Sequence, residues 1–78
     1  MDEILEIAKA IEFNAKAEAQ AVLDYTELIK MVASSQIEEE TKETIIDTIN
    51  EIISDELNHQ MRLRQLYVSL TGIEPNKN

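Results

Sequence analysis

Residues 45–70 read IIDTINEIISDELNHQMRLRQLYVSL, and the fold follows from where the apolar side chains fall in this stretch. Ile45, Ile49, Ile52, Glu56, His59, Leu63, Leu66 and Leu70 recur at alternating steps of four and three, the spacing of one face of a long helix. A second apolar row, Ile46, Ile53, Leu57 and Val68, lies beside the first and gives a face wider than a two-stranded coil uses. Gly72, then Ile73 and Pro75, reads as a glycine C-cap followed by a hydrophobic contact and a stop.

The upstream half repeats the pattern. Ile4, Ala8, Ile11, Ala15, Glu18, Val22, Tyr25, Ile29 and Val32 form a seam with the same alternation, and Asp2 stands where an N-cap belongs. Between the seams, Ser35 with Glu38 three residues on suggests a capping box opening the second helix. Glu38, Glu39 and Glu40 then fall at the positive end of its dipole. The spacing predicts helices over about 3–33 and 37–71 in a single domain spanning 1–78, with a short C-terminal tail. Two long helices joined by a short loop make an antiparallel hairpin.

The whole chain is 78 residues with no cysteine, so neither a disulfide nor a thiolate-bound metal can brace it. A core of this size stabilises a fold by only a few kcal/mol, which makes oligomerisation the remaining route. A symmetric dimer of hairpins, closing into a four-helix bundle, is the smallest solution that covers both seams. The net charge of −9 argues against nucleic acid, whose binding needs clustered Lys and Arg. Apolar runs are only a few residues long and the chain opens Met-Asp-Glu, so the expectation is no membrane span, no signal peptide and a cytoplasmic location.

Glu18, Glu56 and His59 interrupt seams that are otherwise almost wholly apolar. Burying a carboxylate without a partner is costly, so these groups either neutralise one another or surround a cation. Glu-x-x-His alone is a weak signal: given one His, a Glu three residues before it arises by chance about one time in seven in so glutamate-rich a chain. The conjunction with a seam glutamate on the other helix is stronger. Two copies supply four carboxylates and two imidazoles, the donor inventory of a di-iron or di-manganese carboxylate bundle. Such a donor set suits iron, two per dimer, or manganese, and zinc less specifically. The level of the ligands depends on the turn. Centred near residue 37, it sets Glu18 opposite 56; centred near 35, as the capping box prefers, it shifts the mirror position to 52, about 6 Å away along the axis.

Glu18 together with Asp55, Glu56, Asn58 and His59 resembles the ferritin-like superfamily, especially the rubrerythrin branch and the short two-helix encapsulated ferritins. The resemblance covers both helices but rests on these few residues. It implies that Glu18 bridges or chelates, that Glu56 bridges, that His59 binds terminally, and that Asp55 hydrogen-bonds a histidine from outside the ligand set. It also implies oxidation of Fe(II) by oxygen or peroxide in a homodimer or higher homo-oligomer. Rubrerythrins proper carry four helices in one chain and a cysteine-ligated rubredoxin iron, and this chain has neither; Ala17 stands where some relatives have a second acidic residue. Tyr25, two turns from Glu18, is a candidate to hydrogen-bond a ligand or to pass electrons, and more simply a core aromatic. Asn14 and Asn58 are further hydrogen-bonding candidates.

Two other readings stand beside this one. The chain can be a non-catalytic helical oligomerisation or interaction module, whose buried polar layer sets register as buried Asn does in coiled coils. It can also be a zinc-stabilised bundle without redox chemistry. No nucleophile–base pair, phosphate-binding glycine loop or His-Glu-x-x-His motif occurs, and no catalytic residue is separable from the metal ligands.

Overall fold

A computed structural model describes residues 2–72. The chain forms two helices, α1 (Glu3–Ala33) and α2 (Glu39–Thr71), packed side by side as a hairpin measuring 55 × 22 × 17 Å. No strand occurs among the described residues. Among the described residues, no helix is long and apolar enough to cross a membrane.

Local chemistry sets the ends of α1. The Asp2 carboxylate accepts from the amides of Ile4 at 3.0 Å and Leu5 at 3.4 Å, using two of the donors a helix start leaves unpaired. Glu3 and Glu6 in the first turn and Lys30 in the last complement the helix dipole. At the far end, Ser34 Oγ donates to the Lys30 carbonyl at 3.0 Å, Ser35 Oγ to the Val32 carbonyl at 2.7 Å, and Lys42 Nζ to the Ala33 carbonyl at 3.1 Å. Three carbonyls that the helix cannot satisfy internally are thereby closed off.

That arrangement overturns the expected capping box. The Ser35 hydroxyl donates backwards to α1 and accepts from the Ile37 amide at 3.4 Å, so it is not the N-cap of α2. Glu38 takes the N-cap place without a side-chain hydrogen bond. α2 consequently begins at Glu39, two residues later than the spacing predicted, with Glu39 and Glu40 in its first turn. Residues 34–38 form the turn, whose midpoint, residue 36, lies between the two centres that the sequence allowed. At the other end Gly72, at φ 71°, donates its amide to the Val68 carbonyl at 2.7 Å, the left-handed cap expected of glycine. The proposed contact and stop at Ile73 and Pro75 lie outside the described residues.

From Ala8 to Val32 the α1 seam is buried or half-buried as the periodicity requires; Ile4 is exposed. On α2 the contact row is shifted. Ile46, Ile49, Ile53, Glu56, Gln60, Leu63 and Tyr67 are buried or half-buried, at the same alternating spacing but on the neighbouring edge of the apolar face. Ile45 and Ile52 are half-buried, while His59, Leu66 and Leu70 are exposed. One helix partner covers only part of so wide a face. The edge bearing His59, Leu66 and Leu70 is left on an open side of the hairpin.

Buried apolar residues are correspondingly few among the described residues: Ala8, Ile11, Val32 and Ile49. Among the described residues, twelve large hydrophobic residues stay at least 36% exposed. The accessible surface is 6072 Å², against about 4,800 Å² for a globular monomer of this mass. The excess exceeds the roughly 800 Å² that each partner contributes to an ordinary protein interface.

Candidate metal centre

The hairpin brings Glu18 of α1 level with Glu56 and His59 of α2. One ligand atom from each lies within 4.8 Å of the others. His59 turns Nδ1 toward both carboxylates, 3.6 Å from Glu18 Oε2 and 3.7 Å from Glu56 Oε1. Both distances exceed a good N–H···O hydrogen bond. The juxtaposition depends on the turn: a centre near 35 would have set Glu18 against residue 52, one helical turn out of place.

The cluster is unsatisfied as it stands. Glu18 Oε2 is buried and has no hydrogen-bond partner. The Glu56 carboxyl is held above its ordinary pKa, first by a hydrogen bond with Glu18 that favours the protonated form, then by partial desolvation and by repulsion from Glu18. His59 opposes the shift and Asp55 adds to it. Two carboxylates facing one another with an imidazole beside them form a donor set of two oxygens and one nitrogen that suits a divalent cation. The orphaned Oε2 is the observation that fits a metal.

Glu18 and Glu56 are half-buried, whereas His59 is about half exposed on the open side. An open cavity of about 540 Å³ leads onto the cluster there, lined by Asn14, Glu18, His59, Arg62, Leu63 and Leu66. Asn14 Nδ2 donates to the Ala10 carbonyl at 2.8 Å. Asn58 is exposed and does not line this cavity.

The remaining candidates fall outside the cluster. Asp55 is exposed, and His59 Nδ1 faces Glu18 and Glu56 instead, so Asp55 acts on the site through its charge on Glu56. Tyr25 is half-buried on α1, two turns along from Glu18. Sequence reasoning missed Arg62, whose signal was its place one turn after His59. It also missed Tyr67 and Gln60, which belong to the contact row the pattern placed one edge away. Comparison with family models, curated proteins and solved structures finds no match to this chain.

Proposed function

We propose that the protein is a ferritin-like dinuclear metal carboxylate protein, whose site is completed when two hairpins pair through their open sides into a four-helix bundle. The observation that carries this reading is Glu18 Oε2, buried without a partner beside Glu56 and His59. Each chain brings three ligands, too few for two metals; two chains bring four carboxylates and two imidazoles, whose four negative charges balance two divalent cations. Iron is the favoured metal, with manganese and zinc as competitors for the same donors. The exposed apolar edge supports pairing on that side, because Leu66 and Leu70 follow His59 along it and gain burial from a second copy.

The chain's own groups have distinct tasks in such a site. A bound cation favours the charged form of Glu56 and so opposes the upward shift that Glu18 and desolvation impose on it. Glu18 supplies an oxygen already desolvated and aimed into the cluster. His59 offers Nδ1 from the open side. Leu63 and Leu66 would shield the site from water once covered. Iron held there supplies Fe(II)-to-Fe(III) oxidation, with oxygen or peroxide as the electron acceptor.

Anaerobic Fe(II) titration tests the reading. Saturation near one iron per chain, then a visible absorption change on admitting oxygen, is the expected result, with sedimentation reporting a dimer or larger. Zinc binding with no oxygen consumption would favour the zinc-stabilised bundle. Absence of stoichiometric uptake, with His59→Ala leaving thermal stability unchanged, would leave only an oligomerisation module.

A further inference from the structure

Arg62 stands one helical turn beyond His59 on α2 and lines the same cavity as Glu18 and His59. It is the only cationic side chain lining that cavity among the described residues. The Asn14 amide nitrogen beside it is already committed to the Ala10 carbonyl. In a chain with 16 acidic residues against 7 basic ones, a guanidinium at the mouth of a carboxylate cluster is out of keeping with the surrounding charge.

A charge count shows what it does there. In the paired site the four glutamates and two divalent cations cancel, and neutral imidazoles add nothing. The two Arg62 charges are matched in number by the two Asp55 carboxylates near Glu56, but Arg62 lines the cavity and Asp55 does not. With both Glu56 carboxylates bridging, each metal would have four protein ligands, which leaves positions open in a six-coordinate site. A site with open positions and a guanidinium lining its cavity favours an anionic added ligand, and the planar guanidinium matches a two-oxygen anion better than a point charge does.

We propose that the metal-loaded site takes a small oxyanion of the carboxylate or bicarbonate type, held between the metal and Arg62. This rests on the dinuclear reading above and adds the ligand class and the residue that selects it. Arg62 contributes a charge-assisted hydrogen bond and does not contact the metal.

The test uses the full chain loaded with Co(II), whose visible bands respond to a change of ligand, and formate as the probe. In the wild type, formate perturbs the bands saturably and raises the melting temperature. Arg62→Gln keeps one cobalt per chain and weakens formate binding about tenfold or more, as loss of a hydrogen bond to a charged group does; Arg62→Lys falls between. Stoichiometric cobalt with equal formate affinity in wild type and Arg62→Gln overturns the inference and leaves the metal site standing. The same follows if formate has no effect on the wild type. Failure of cobalt to bind stoichiometrically overturns the dinuclear reading and this inference with it.

Discussion

Replacing Glu18 by methionine separates a metal ligand from a structural polar layer. Methionine keeps the length of the side chain and removes the buried, unpartnered oxygen. An unsatisfied buried acceptor costs about 1–3 kcal/mol. The Glu18 side chain is 28% exposed, so solvent already meets part of that cost. The gain expected for the metal-free variant is therefore about 1 kcal/mol, at the low end of the range. In a domain of this size that raises the melting temperature by about 4–8 °C. Metal reverses the order. At a hundredfold excess over its dissociation constant a bound ion stabilises the wild type by about 2.7 kcal/mol, and the variant, lacking a ligand, forgoes most of it. The assay is a pair of circular-dichroism melts at one fixed protein concentration, in chelator and in Mn(II) or Zn(II). Glu18→Met should melt above the wild type in the first and below it in the second. A variant that melts lower in chelator would show that the carboxylate holds the helices in register, and the metal argument would fail. Equal stabilisation of both proteins by metal would refute it as directly.

The Glu56 proton gives a pH signature. Because the folded state holds that carboxyl above its ordinary pKa, its contribution is fully present below the ordinary glutamate value and is lost as pH rises through the raised one. Denaturation midpoints of the metal-free protein should fall across that window relative to Glu56→Gln; parallel profiles would contradict the assignment. Leu66 is exposed in the hairpin and lines the cavity over the cluster. Leu66→Lys should leave a helical chain that sediments as a smaller species and takes up metal weakly, whereas an unchanged oligomer with full uptake would place the contact elsewhere. Gly72 adopts φ 71° with open space around its Cα, so Gly72→Ala should cost about 1 kcal/mol from backbone strain alone. A neutral effect in thermal melts would mean that the end of α2 frays without cost.

Much of the molecule was legible along the chain because helix signals are local. Asp2 with its two amide partners, the alternating apolar spacing and Gly72 each act within a few residues, and the ends they mark at 3, 33 and 71 are the ends of α1 and α2. The second helix start was misread because Ser35 had two possible employers. A capping box and the unpaired carbonyls of α1 compete for one hydroxyl, and Lys42, nine residues from Ala33, helps decide for α1. Spacing rules see each helix separately and carry no information about that competition.

The site divides along the same line. That Glu18, Glu56 and His59 interrupt apolar seams is a property of the sequence, as is the three-residue step that puts Glu56 beside His59. Their meeting is not. It depends on where the turn is centred, since one helical turn of error moves a ligand by about 5.4 Å, more than a coordination sphere spans. Only packing also decides which edge of a wide apolar face a single partner helix can cover. Here α1 covers the edge of Ile46, Ile53, Gln60 and Tyr67, leaving His59 and Leu66 open beside Arg62.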